Sequence, residues 1–173
     1  MTFEEIQQLL QSEFNNLTLE VSNQESQAQI NVPAQSMIEI IGFLKSNKST
    51  FFDLLSCITG IDNGKEAGNI DIIYHLYSIP FEHALIIKTS IQRGTPPEHP
   101  PSIDSISAIY QSANWHEREI FDFFGVIFNH HPDLRRILLP NDWQGYPLRK
   151  DYKEQEYYRG IKVDNNFTSE TNN

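Results

Sequence analysis

Four charged residues in one short stretch, Glu117, Arg118, Glu119 and Asp122, are the first places where this sequence could do chemistry. Glu119 and Asp122 stand three residues apart and share a face if the stretch is helical. Two carboxylates so placed can divide general acid and general base roles. Arg118, however, stands four residues before Asp122 and can pair with it along the same helix. A charged helix face with an internal ion pair is the simpler reading. His130, His131 and Asp133 form the other suggestive group, one that a stand-alone metal-dependent enzyme could use. Adjacent side chains of an extended segment point to opposite sides, which makes joint ligation awkward, and no His-Glu-x-x-His pattern occurs. Cys57 is the only cysteine, so the common iron-sulfur sites and an internal disulfide are excluded. No Gly-x-Ser-x-Gly elbow, phosphate loop or dinucleotide-binding glycine pattern is present. No catalytic, cofactor-binding or metal-ligating residue is expected.

A third group is unusual in another way. Between Arg135 and Arg159 lie six of the 13 basic residues, interleaved with Trp143, Tyr146, Tyr152, Tyr157 and Tyr158, although the chain carries a net charge of -10. Arg, Trp and Tyr combine contact area with directed hydrogen bonds and are enriched in protein interfaces. A stretch so rich in them and without clear periodicity needs a surface to lie on. That surface is either its own domain or a partner, and composition leaves both open.

The elements that must position these residues suggest an α+β fold. Thr2 and Glu5 form a capping-box pattern, and Phe3, Ile6, Leu9, Leu10 and Phe14 recur at helical spacing. Residues 17–21 and 28–32 alternate with period two and predict a hairpin, and Met37, Ile38, Ile41 and Leu44 predict a second helix from Pro33. Three β-rich runs follow, Phe51 to Ile61, Ile70 to Ile79 and Ala84 to Ile91, the first two joined by a glycine-rich hairpin loop. The proline-dense stretch 93–101 should be an extended connection. From Ile103 to Phe124 the spacing returns to helical, as two short helices with Asn114 capping the second and Gly125 stopping it. The expected organisation is therefore an α+β domain over 1–125, N-terminal helices packed on one face of a mainly antiparallel sheet. An extended docking segment follows over 126–163, with a polar, disordered tail over 164–173.

Bulk properties narrow the function. An acidic chain of 173 residues, 23 acidic against 13 basic side chains, suits neither a nucleic-acid binder nor a protein that adheres to anionic lipid through a basic face. The N-terminus is acidic rather than signal-like, and no stretch approaches the ~20 apolar residues of a membrane span.

Residues Trp115 to Tyr152 carry a more specific signal. Glu117, Arg118, Glu119, Asp122, Phe123, Phe124, His131, Arg135, Ile137 and Leu138, followed by the stretch from Asp142 to Tyr152, resemble the signature region of the C subunit of NADH-quinone oxidoreductase, with every spacing kept. This is the thirty-kilodalton subunit family of respiratory complex I. The resemblance implies an α+β fold and a non-catalytic place in the peripheral arm of a proton-translocating complex. Its partners would be the quinone-site D subunit and the cluster-bearing B and I subunits. FMN, iron-sulfur clusters, NADH and quinone would be held by other subunits and none by this chain. The location implied is the cytoplasmic face of the inner membrane, peripheral and reached through partners. The interface would include Glu117, Arg118, Glu119, Asp122, His131, Arg135, Arg136, Asp142, Trp143, Tyr146, Arg149, Lys150 and Tyr152. A homologous subunit of a membrane-bound hydrogenase, or of a quinone reductase using another donor, would fit the same residues.

Overall fold

The computed structural model describes residues 1–15, 17, 20–22 and 29–163. Helix α1 (Phe3–Glu13) starts as its capping box predicts: the Thr2 hydroxyl accepts from the Glu5 N–H and the Glu5 carboxylate accepts from the Thr2 N–H. Strands β1 (Glu20–Ser22) and β2 (Gln29–Asn31) are antiparallel, as the alternating pattern predicts, although much of the expected hairpin lies outside the described residues. A turn of 3-10 helix at Ala34–Ser36 leads into α2 (Met37–Ser46), which buries Met37, Ile40, Ile41 and Leu44.

The three β-rich runs form β3 (Leu54–Asp62), β4 (Asn69–Ser78) and β5 (His83–Gln92). The sheet order is β1-β2-β5-β4-β3, antiparallel except for the parallel β2 and β5 pair. Between β3 and β4 the glycine-rich loop contains a single helical turn, α3 (Gly64–Ala67). Ile70, Ile72, Tyr74 and Leu76 alternate along β4 and, with Leu85, Ile87 and Ile91 of β5, meet the apolar residues of α1 and α2 in one core. The α+β architecture with helices on one sheet face is the one expected.

The helical reading of residues 103–110 is corrected. Ser102–Asp104 is a strand, β6, which pairs in parallel with β7 (Ile127–Asn129), and turns follow up to Ser112. Two causes act together. Pro100 and Pro101 hold the preceding backbone extended. Ser105 and Ser107 then bond to each other and to their surroundings rather than leaving a helix to form. Ile103 and Ile106, three apart, are both buried by this strand and turn. Their spacing therefore satisfied a helical pattern without forming one.

Helix α4 (Ala113–Phe124) is flanked by Ser112, whose side chain makes no capping bond, so Asn114 is not the cap. It ends at Gly125 (φ 72), as predicted. A Cβ there would stand 2.8 Å from the Tyr146 ring. The helix lies against β3, where a Cβ on Gly60 would come within 3.0 Å of Phe124. Val126 and Phe128 lie in the same core, which thus runs past the expected boundary at residue 125. From 130 to 163 the chain is largely irregular, apart from the short pair β8 (Tyr157–Tyr158) and β9 (Ile161–Lys162).

Candidate functional site

The charged residues of the signature region fall into three internal clusters and one outward surface. Asp122, in the last turn of α4, organises the first cluster. A carboxylate there opposes the helix dipole, so its presence does not serve the helix. Its Oδ2 accepts the backbone N–H groups of Ile137, Leu138 and Leu139 at 3.1, 2.8 and 2.8 Å, and its Oδ1 accepts Arg136 at 2.7 Å. Burial pushes this carboxyl up, but the three amides and the guanidinium outweigh it and hold the group below the usual carboxylate range. Arg136 also donates to the carbonyls of Asp122 and Gly145, and it stacks on Tyr146. The expected Arg118–Asp122 pair is corrected. Asp122 is fully enclosed and taken by Arg136, while Arg118 donates to the carbonyls of Arg135 and Arg136 and lies over the Trp115 ring.

The second cluster surrounds Glu117, which is also fully buried. Ser105 Oγ donates to its Oε2 at 2.5 Å and the Ile106 N–H to its Oε1 at 2.8 Å. Burial pushes the carboxyl up to about 7, against those two bonds. His131 Nε2 stands 3.9 Å away. His131 Nδ1 accepts the Asp133 N–H at 3.0 Å, so the ring proton sits on Nε2 and donates to the Asn114 carbonyl at 3.1 Å. At 3.9 Å the contact between His131 and Glu117 is too long for a hydrogen bond. Both ring nitrogens are engaged, and among the described residues no group of three His, Cys, Asp or Glu side chains is placed to hold a metal.

The third cluster ties the end of the signature stretch to the sheet. Arg93, at the end of β5, grips Asp62 of β3 with two bonds of 2.6 and 2.8 Å and holds Asp151 through Nη1 and Nη2. The Lys150 and Gly64 N–H groups complete the shell of Asp62 at 2.8 and 3.0 Å. Burial pushes Asp62 up, yet Arg93 and the two amides hold it well below the usual range. Arg149, buried alongside, donates to the carbonyls of Arg93, Gly94 and Phe124. Desolvation and the neighbouring Arg93 charge lower its proton affinity. Sequence reading missed Arg93, Asp62 and Ser105. Arg93 directly follows β5 and precedes a glycine, but nothing local to it named Asp62 or Asp151.

What remains faces outward. Trp115 is 65% exposed, Leu138 60% and Leu148 55%. Glu119 and Lys150 are also exposed, and the exposed Arg135 pairs with its neighbour Asp133 at 3.0 Å. Between α4 and β3 an apolar groove of about 150 Å³ is lined by Ile58, Gly60, Glu119, Phe123 and Leu148, among others. On the other side of the segment, Tyr146, Arg149, Asp151 and Tyr152 help line an open cleft of about 420 Å³. Trp143 leans on Tyr158, and Asp142 takes Tyr158 and Arg159 at 3.0 Å each. Of the residues expected at an interface, Glu117, Asp122, Arg149 and the His131 side chain thus spend their polar atoms inside the chain.

Residues 30–158 match the model of the respiratory-chain NADH dehydrogenase 30 Kd subunit family, and the chain belongs to that family. It is 40% identical over 156 residues to the NADH-quinone oxidoreductase C subunit of Geobacter metallireducens, a match that covers 87% of this chain and 92% of that one. It is 43% identical over 123 residues to the C/D subunit of Buchnera aphidicola, covering 67% of this chain and 20% of the longer one. Among solved structures it resembles a chain of the membrane-bound sulfane sulfur reductase, an archaeal respiratory membrane complex. There the TM-score is 0.70 at 26% identity, with 87% of this chain and 85% of that one covered.

Proposed function

We propose that this chain is the C subunit of a proton-translocating NADH-quinone oxidoreductase, placed in the peripheral arm and contributing no catalytic group of its own. The observation that carries this reading is the two-sidedness of residues 131–152. From within, Asp122, Arg93 and Arg149 fasten that segment to the domain. On its outside, the side chains of Arg135, Leu138, Leu148 and Lys150 are exposed. A large exposed aliphatic residue on a segment held so firmly is a contact presented to something else.

The partners that suit it are the quinone-site D subunit and the cluster-bearing B and I subunits. The joined C/D subunit of Buchnera aphidicola supports the first of these, because two parts of one polypeptide stay together. FMN, iron-sulfur clusters, NADH and quinone belong to those other subunits, with nothing of the kind bound here. No helix of the described residues is long and apolar enough to cross a membrane. The chain would therefore reach the cytoplasmic face of the inner membrane through its partners.

Co-purification from membranes tests the reading. The native chain should emerge with cluster-bearing subunits, and Leu138→Asp should lose them while keeping its own fold. Normal assembly of that variant would overturn the proposal. The likeness to the sulfane sulfur reductase chain favours a second reading, a complex of the same architecture with another electron donor. An NADH-oxidising flavoprotein among the co-purified subunits separates the two.

A further inference from the structure

Glu117 sits in the core, and among the described residues no lysine or arginine pairs with it. The titratable groups that face it are His131, from the segment after β7, and Tyr74, from β4, whose buried hydroxyl has no hydrogen-bond partner and is itself pushed up by burial and by Glu117. Ser105 and Ile106, from the connection before α4, supply its two hydrogen bonds, and Ser107 stands behind Ser105. His131 joins its own segment to α4: Nε2 donates to the Asn114 carbonyl, and Nδ1 accepts from Asp133.

The two protonation states of Glu117 therefore demand different surroundings. A neutral carboxyl is compatible with this core. An ionised one would be a buried charge with no opposite charge, which is strongly disfavoured. The nearest relief is water, which reaches Glu117 when residues 131–139 lift from α4 and His131 leaves the Asn114 carbonyl.

We propose that Glu117 and His131 form a proton-operated latch on residues 131–139: with Glu117 protonated, His131 holds the segment to α4, and ionisation of Glu117 loosens it. The proton leaving Glu117 passes to solvent, and only O–H bonds are exchanged. The elevated proton affinity of Glu117, about 7, puts the transition in the neutral range. The latch deepens the docking reading and rests on it, since the segment it controls carries Arg135 and Leu138. Assembly of the complex would then respond to proton concentration at the site of docking.

Amide hydrogen exchange on the full chain tests the latch. Between about pH 6 and about pH 8, after correction for intrinsic exchange, amides of residues 133–139 should lose about tenfold in protection, as a single linked proton allows. Amides of β4 and β5 should keep theirs, which distinguishes local release from general unfolding. Glu117→Gln, which cannot ionise, should protect the segment equally at both values. Ser105→Ala removes a bond to the ionised form, so it should move the transition to higher pH, and it serves if the Gln variant folds poorly. Segment protection that ignores pH in the native chain, or that responds identically in Glu117→Gln, would overturn the proposal. Such a failure leaves the docking reading standing, because exchange is measured without partners; unimpaired assembly of Leu138→Asp would do the reverse.

Discussion

Replacing Asp122 with alanine should detach the docking segment from the helix that supports it. One carboxylate accepts three backbone N–H groups and one guanidinium N–H, all within 3.1 Å, and the side chain is fully enclosed. Hydrogen bonds to an ionised acceptor contribute about 1.5 to 3 kcal/mol each, so four taken separately would suggest a loss of roughly 6 to 12 kcal/mol. That sum is too large. Leu138 is exposed and Ile137, Leu139 and Arg136 are only half-buried, so water can reach the donors once the carboxylate is gone. The measured cost of breaking one partner out of a buried ion pair, about 3 to 5 kcal/mol, is the better guide, and the expected loss is about 3 kcal/mol. Asp122→Asn keeps the shape and one acceptor for the amides, but it turns a donor toward Arg136 or toward the amides, and should cost about 2 kcal/mol. Urea unfolding followed by tryptophan fluorescence reads both values, with Trp143 inside the segment as a local reporter. Losses below about 1 kcal/mol in both variants would refute the idea that Asp122 is the anchor of residues 136–139. If Asn cost more than Ala, the hydrogen-bond assignment would be wrong.

Glu117 should give the opposite response to pH from the paired carboxylates. Its proton affinity in the fold is raised from an ordinary 4.5 to about 7, so its contribution is fully present below about pH 4.5 and lost as pH rises through 7. At ~1.4 kcal/mol per tenfold change in proton concentration the loss is about 3 kcal/mol, and the difference in stability between Glu117→Gln and the native chain should therefore grow in favour of Gln between about pH 5 and pH 8. A constant difference across that range would contradict the burial argument. Asp62 and Asp122 are held below the usual range, so their contribution is present above about pH 4 and lost as pH falls further; the stability deficit of Arg93→Met relative to the native chain should accordingly shrink as pH falls below about 4. Gly125→Ala combines a left-handed backbone with a Cβ 2.8 Å from Tyr146, and should cost about 2 kcal/mol or more by thermal unfolding. A loss under about 0.5 kcal/mol would mean that the Tyr146 contact gives way freely.

Much of the body was legible because local chemistry and tertiary need agreed there. The Thr2–Glu5 box, the alternation along β4 and β5 and the glycine after Phe124 each state a structure in their own neighbourhood, and each is present. Ile103 to Tyr110 misled because two buried residues three apart satisfy a helix and a strand-then-turn equally, and the choice was made by pairing with residues 127–129, far along the chain. Arg118 and Asp122 misled for the same reason. Spacing along a helix says which groups could meet, whereas the winner was Arg136, brought back by a turn of the chain and reinforced by three amides.

Family membership and the segment that matters can be read from the residues alone, because an unbroken run of fixed residue types from Trp115 to Tyr152 needs no neighbours to be recognised. Which of those residues face inward was settled by the folding of the chain. Charge and residue type do not say whether a carboxylate is answered by solvent, by a partner or by its own chain; that depends on distances between Glu117 and Ser105, or Arg93 and Asp151, that no spacing encodes. The fold turned half of the expected interface into the fastening that holds the other half in place.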